Sequence, residues 1–551
     1  MDEYDVVIIG AGHNGLVAAN YLRDAGLSVL VVEANDRIGG MTSTSTPIPA
    51  APHHLINSFS IDSFFWDSFP PSRELQLHRY GLQLVDLDPG HLYVHPEGGS
   101  IAFFKNPART AEDIRRFSQQ DALAYLELAP ALQAFAELAM RMGATNPTRP
   151  DVPVLIDVLR RAFGFRHELG ELLPLALRSI SETIAERFRH QVVRDALHAS
   201  SGSTIPNDIS GTGVAFAWIG NMHRQICRRP LGGVQAIPDA LANRLISKGG
   251  SIRTGSPVVE ITLDDERASG VRLMDGSHLG ARKAVLGTCD PRTALDKLLP
   301  DGAISGFVRA SVRSIPVNNL GYGQMKVDLA LSGRVTMKKH QVWRLDDLDV
   351  RKPTHMIGTE EGMRRLFARS GAGLLPDPGD HVLWPVIPTA LDPSQAPDGQ
   401  DTVYLYCSVA PYRPEDGWST AKDKAAQGIL ETASLYYDEL QTLEIGRQIL
   451  TNDDIAERTH ATGGNITHVD TVLSRFGPMR PARGLGGYRT PISGLYLGGA
   501  GSHPGGGITG GPGYVSARTI IKDLRHDDAR RGGWRQRLPL QRNSSFGNRP
   551  A

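Results

Sequence analysis

Val6-Val7-Ile8-Ile9-Gly10-Ala11-Gly12-His13-Asn14-Gly15 is the stretch on which the fold turns. Four β-branched residues ending on a glycine predict a short, fully buried parallel strand. Leu16, Ala19 and Leu22 then mark one apolar face of a helix that Gly26 is placed to end, and Ser28–Val32 reads as a second buried strand closing on Glu33. In a strand–turn–helix of this kind Gly10 makes the tight turn, Gly12 lets backbone approach a pyrophosphate, and Gly15 lets the helix pack close to the strand. The helix N-terminus then faces the phosphates, with Ala11 and Asn14 in the same turn. Glu33 follows Gly15 by 18 residues, at a strand tip where a carboxylate accepts hydrogen bonds from ribose hydroxyls, with Ala34 beside it. A complete βαβ start with its acid in place reads as a dinucleotide site.

NAD and FAD share this fingerprint. The next residues, Asn35-Asp36-Arg37-Ile38-Gly39-Gly40-Met41-Thr42, place Arg37 to cover the adenosine side and Gly39 and Gly40 to admit backbone to the diphosphate. Their E-x-x-x-R-x-G-G arrangement resembles flavin enzymes of the glutathione-reductase and amine-oxidase type, which implies FAD. Near the other end, Gly494–Gly501 is a short apolar strand entering a glycine turn. Ser502–Gly513 follows, and from Tyr514 the chain reads as helix. Seven glycines from Gly501 to Gly513 are entropically costly as a mere linker, and backbone N–H groups ahead of a helix suit an anionic or electron-rich ligand edge.

The segment from Leu495 to Gly513 resembles the carboxy-terminal signature of the phytoene-desaturase family of bacterial carotenoid desaturases. Its triple glycine is more similar to the branch related to pyridine nucleotide-disulfide oxidoreductase domain-containing protein 2. Pro230–Gln235 resembles that family's central glycine segment, whereas 100–220 and 300–440 carry little signal. The resemblance implies an α/β fold: a discontinuous Rossmann-like FAD-binding domain from 1–95, 225–300 and 445–525, with a mixed α+β substrate or cap domain from 96–224 and 301–444. It also implies that the flavin ring lies against the second glycine loop, with Gly501, Thr509 and Gly510 among its contacts, and that Val259 passes the adenine edge. Ala500-Gly501-Ser502 stands where disulfide reductases and amine oxidases usually carry an acid, which argues against those activities.

The 551 residues hold 59 Lys and Arg against 59 Asp and Glu, so no basic field argues for nucleic acid. Three separated cysteines exclude a disulfide framework, no spacing suits a metal, and the acids before the first apolar run read as a cytoplasmic chain. Strands are expected at 251–253, 257–263, 270–274 and 284–287, loops over 370–400, and helices through Leu132–Met142 and Ile180–Val192. Catalytic side chains are unassigned. His54, in an apolar stretch beside His53, and His503, in the flavin-loop motif, are the candidates; His223 and Cys289 are weaker ones. From Arg525 the chain carries seven arginines and two aspartates, and 526–551 reads as a disordered basic tail suited to an anionic membrane or a partner.

The functional expectation is an FAD-dependent dehydrogenase or desaturase that takes hydride from a C–H bond of a hydrophobic or specialised-metabolite substrate and passes electrons to oxygen or a quinone-like acceptor. The alternatives are a flavin oxidase or monooxygenase and, of another class, an FAD-bound chaperone or interaction protein with little turnover.

Overall fold

The computed structural model describes residues 2–201 and 204–530. Its largest sheet has seven strands. Asp2–Ile9 lies at its centre, parallel to Val29–Val32 on one side and to His278–Gly287 on the other. Ser251–Arg253 extends the first side, and Leu495–Leu497 pairs in parallel with the end of His278–Gly287. Val258–Asp264 and Arg267–Leu273 add an antiparallel meander. The first strand, the glycine turn and the last strand, some five hundred residues apart in sequence, thus meet at one sheet.

The sheet carries helices because its central strands are apolar on both faces. His13–Asp24, Ala236–Ser247 and Gly511–Arg530 cover one face, where Val6, Ile8, Leu16, Leu241 and Ile520 share a core. Val7, Ile9, Val285 and Leu497 pack on the other. Gly10 sits at φ +104°, a conformation that only glycine adopts without strain. A Cβ on Gly15 would lie 2.1 Å from the Gly10 carbonyl oxygen, so that glycine sets how closely the helix packs on its strand.

A second, antiparallel sheet runs Leu383–Val386, Asp401–Pro411, Tyr322–Leu331, Glu444–Leu450. The pairing of Glu444–Leu450 with Tyr322–Leu331 carries the chain to Leu450 in this sheet, past the 444/445 division that the sequence suggests. Leu383–Val386 also corrects the reading of 370–400 as loop: a four-residue strand is too short to stand out among its Pro, Gly and Asp neighbours. A three-stranded sheet of Thr354–Met356, His91–Val94 and Ser100–Phe103 meets a helical layer that includes Gln119–Gly143 and Phe216–Met222. The expected run through Ile180–Val192 is two helices, Ile180–Arg187 and Gln191–Ala199. Phe188 is extended between them, and the Asp121 carboxylate accepts the Arg189 and His190 backbone N–H groups. The last helix continues to Arg530, so residues 526–530 are helical and not part of a disordered tail; the rest of that tail lies outside the described residues.

Candidate active site

One cavity of about 820 Å³ runs from the carboxyl ends of the first sheet's strands to the second and third sheets. Ligands of open α/β sheets bind at such strand ends. At this end the wall is largely backbone. Gly10, Gly12, Asn14, Gly15, Glu33, Ala34, Gly39, Gly40, Met41 and Thr42 all line it. A Cβ on Gly12 would meet nothing within 4 Å, and one on Gly40 would meet only the Gly12 Cα at 3.5 Å. The two stretches lie side by side, the Gly39 N–H donating to the Ala11 carbonyl at 2.9 Å, and present bare backbone to the cavity. The helix starting at His13 has no acid in its first turn to offset its dipole. Glu33 is buried; its Oε2 accepts the Ala11 N–H at 2.8 Å and its Oε1 the Asn35 N–H at 3.0 Å, which holds the carboxylate at the wall.

Five residues expected at the cofactor lie off this wall. Ala11 is buried behind it and contributes its N–H to Glu33. Arg37 is exposed. Val259 falls where the pairing of its strand skips a residue, and Pro257 and Val258 line the cavity in its stead. Gly501 is pressed on Pro291, 2.6 Å from where its Cβ would be, and Gly510 packs toward Val17 and Trp66. From the second glycine loop the wall takes Ala500 and Pro504–Thr509.

Neither catalytic candidate reaches the cavity. His54 is buried with its Nε2 3.3 Å from the Leu331 carbonyl oxygen, and His503 with its Nε2 3.1 Å from that of Met142. Both are core histidines held by one backbone carbonyl each, their Nδ1 atoms without a hydrogen-bond partner, and burial pushes His503 down to about 4. His223 is likewise held between the Phe104 carbonyl and the Tyr125 hydroxyl, and His53 is exposed. Cys289 does line the cavity, but burial pushes its thiol up to about 12, which makes it a poor nucleophile.

Sequence reasoning missed two groups. Arg480 lines the cavity fully buried: its Nη2 donates to the carbonyls of Thr467 at 2.7 Å and Ala500 at 2.9 Å, while Nε and Nη1 have no hydrogen-bond partner. Burial pushes this guanidinium down to about 10, and no nearby motif signals it. The second group is aromatic. Ring contacts run Phe65–Trp218 at 5.0 Å, Phe64–Trp218 at 4.8 Å, Trp218–Trp384 at 5.6 Å, Trp384–Tyr406 at 5.7 Å and Tyr404–Tyr406 at 6.4 Å. All line the far chamber of the cavity, and aromatic pairs in these geometries hold each other in place.

A family model described as flavin containing amine oxidoreductase matches residues 15–511. The chain belongs to this family. The flavin oxidoreductase is 27% identical to the Mus musculus pyridine nucleotide-disulfide oxidoreductase domain-containing protein 2, over 95% of this chain and 94% of that protein. It is 24% identical to a phytoene desaturase (neurosporene-forming) of Rhodobacter capsulatus, over 94% and 93%. Among solved structures, an oxidoreductase from Methanosarcina mazei shares its fold with a TM-score of 0.60 at 17% identity, covering 94% of this chain and 99% of that one. The phytoene-desaturase-like character read from the terminal motifs stands.

The protein is thus an FAD-dependent oxidoreductase, and its own residues fit the cofactor. The glycine cradle of Gly12 and Gly40, facing an uncompensated helix N-terminus, suits a diphosphate, and the Glu33 carboxylate suits a ribose. The orphaned nitrogens of Arg480, beside Gly505, suit an electron-rich edge of the same cofactor.

Proposed function

We propose that the protein is a dehydrogenase or desaturase of an apolar substrate. One observation carries the reading: the chamber is walled by aromatic and aliphatic side chains, and every carboxylate on the described wall is already in use. Asp62 is paired with Arg229 at 2.5 Å and accepts the Thr354 hydroxyl. Asp290 accepts from the Thr462 and Thr293 hydroxyls and from the Arg292 and Thr293 backbone. Glu33 is held at the nucleotide end. A substrate ammonium thus has no free counter-charge, whereas a hydrocarbon finds ring faces and Ile61, Met140, Met356 and Val386.

FAD, when bound, supplies the hydride acceptor. The protein's part is to hold the reacting C–H bond and to exclude water. Trp218, Trp384, Tyr404 and Tyr406 form the wall against which an extended apolar molecule is positioned. His91 lies on the wall near Asp62, and burial pushes it down to about 4, so it stays neutral and puts no charge into the chamber. The substrate's second hydrogen leaves as a proton, and the electrons pass to oxygen or a quinone-like acceptor.

The test is the anaerobic visible spectrum of the flavin-loaded protein with three probes: an apolar polyene such as phytoene, a primary alkylamine and NADPH. Bleaching by the polyene alone is expected. Bleaching by the amine, or rapid bleaching by NADPH, overturns the reading in favour of an amine oxidase or of a monooxygenase or reductase. Full retention of colour with all three, together with a stable protein partner, favours the chaperone alternative.

A further inference from the structure

The far chamber is apolar in its carbon surface but not in its hydrogen-bonding atoms. His91, Trp218, Trp384 and Tyr406 follow one another along the wall, with successive ring centroids 5.9, 5.6 and 5.7 Å apart. Each of these rings leaves a polar atom unused. The indole N–H groups of Trp218 and Trp384 are buried without a partner. So is Nδ1 of His91, and no hydrogen bond among the described residues holds its Nε2 either. The Tyr406 hydroxyl has no partner among them, whereas that of the adjacent Tyr404 donates to the Phe59 carbonyl at 3.1 Å. Buried polar groups ordinarily find partners, and a wall meant for hydrocarbon alone is destabilised by each one that does not. A row of such groups on one wall points to a ligand that supplies the missing partner.

His91 is the best placed of them. It opens the strand His91–Val94, which is paired on both sides, and its ring stands edge-on to Phe64 at 5.0 Å and to Trp218. Only 1% of it is exposed, so its neighbours fix the ring. A neutral imidazole keeps one N–H donor and one acceptor nitrogen, and burial holds His91 in that form. The charges that act on it, Asp62 and Arg229, are spent on each other. Arg229 pairs with Asp62 and donates its remaining groups to the Lys352 carbonyl at 2.7 Å and the Thr354 hydroxyl at 2.8 Å. Beside His91 there is thus neither a free cation for a carboxylate nor a free anion for an ammonium among the described residues. What remains is a neutral donor and acceptor at one end of a stack of rings.

We propose that the chamber prefers a substrate whose apolar body carries a neutral oxygen function, a ketone or a hydroxyl, and that His91 hydrogen-bonds this oxygen. The inference rests on the apolar-substrate reading and refines it: hydrocarbon fits the ring stack, but an oxygenated hydrocarbon also satisfies the wall. His91 then determines specificity in two ways. It favours molecules that bear the oxygen over those that lack it. It also sets register, because an oxygen fixed at one end of the stack decides how far the carbon skeleton reaches toward the glycine loops and which C–H bond is presented there.

The experiment is anaerobic equilibrium binding to the full-length, flavin-loaded protein whose flavin has been photoreduced beforehand, so that no turnover intervenes. The probes are β-farnesene, a hydrocarbon; farnesylacetone, a ketone on the same isoprenoid chain; and farnesoic acid, present as its carboxylate. Both neutral probes are expected to bind wild type. His91→Phe should weaken farnesylacetone about tenfold, the loss of one hydrogen bond, and leave farnesene within about twofold. His91→Gln, which keeps a donor and an acceptor, should recover part of the ketone affinity. Infrared spectra need no variant: the carbonyl stretch of farnesylacetone bound to wild type should lie below its value in hexane, and should return toward that value in His91→Phe. A wild-type stretch unchanged from hexane, or equal weakening of ketone and hydrocarbon in His91→Phe, overturns the proposal and leaves the apolar-substrate reading standing. Tighter binding of the acid than of the ketone overturns the neutral class. Failure of both neutral probes to bind wild type overturns the apolar-substrate reading and the proposal with it.

Discussion

Replacing Gly12 by valine separates the two tasks of the glycine turn. Gly12 has φ −67° and ψ 165°, which any L residue adopts, and its Cβ would meet no protein atom within 4 Å. Without cofactor the substitution therefore costs only the poorer helix cap, about 1 kcal/mol or less. Valine methyls extend into the open cavity beside Gly12 that the diphosphate needs. A backbone hydrogen bond to a charged group is worth about 1.5–3 kcal/mol, so losing two weakens FAD binding by about 3–6 kcal/mol, or ~10²–10⁴-fold. Gly15→Ala is the contrasting case. Its Cβ would stand 2.1 Å from the Gly10 oxygen and 3.0 Å from the Thr288 hydroxyl, so strand and helix must part. Overpacking of this kind costs about 1–3 kcal/mol with no cofactor present. The assay is FAD content from the visible spectrum, with Tm measured with and without added FAD. FAD at about a hundred times its wild-type Kd adds ~2.7 kcal/mol to wild type and should add at most ~0.4 kcal/mol to Gly12→Val. A Gly12→Val protein that purifies yellow with full occupancy, or that loses stability as Gly15→Ala does without cofactor, refutes the reasoning.

Three further outcomes follow from the same geometry. Glu33→Ala should weaken FAD retention and also lower Tm in the cofactor-free protein, because it strands the Ala11 and Asn35 N–H groups at about 1–3 kcal/mol each; an unchanged Tm would show that those bonds carry no weight. His54→Ala and His503→Ala should leave turnover within about twofold, whereas Trp218→Ala should raise KM about tenfold at nearly unchanged kcat, the pattern of lost uniform binding; a kcat collapse in either histidine variant would restore it as a catalytic candidate. Burial pushes His13, His91, His223, His381 and His503 down to about 4 and His355 to about 3, so each is neutral when folded and takes up a proton on unfolding below its ordinary value of 6.5. Their contribution is complete above that value and is lost as pH falls toward 4, at up to ~1.4 kcal/mol per pH unit for each group. Tm should therefore drop steeply between pH ~7 and ~5, and a flat profile would contradict the neutral assignments.

The nucleotide half of the molecule was legible because its demands are local. Gly10 needs a positive φ, Gly15 is crowded by a carbonyl five residues earlier, and the acid at 33 follows from strand and helix lengths. Such constraints act within one βαβ unit and leave a mark on residue type and spacing. The glycine loop at 501–513 was legible for a related reason, although the structure presents 504–509 to the cavity and tucks Gly501 and Gly510 behind it.

The chamber was not legible. Its aromatic wall joins residues near 64, 218, 384 and 405, each of which reads in sequence as ordinary core. Nothing in the sequence joins Asp62 to Arg229 and Thr354, which reach it from distant parts of the chain. His54 and His503 read as catalytic because a histidine's character lies in its partner, and here the partners are the carbonyls of Leu331 and Met142. The helix Val152–Gly164 carries an exposed apolar stripe with the same 3.6 periodicity as a buried face, and only the packed molecule determines which side meets solvent. Sequence alone determined the class of cofactor, since backbone conformation and close approach are encoded residue by residue. Tertiary structure decided which side chains meet the substrate, which are neutralised and which surface is left uncovered, since each of those depends on a partner that chain distance does not reveal.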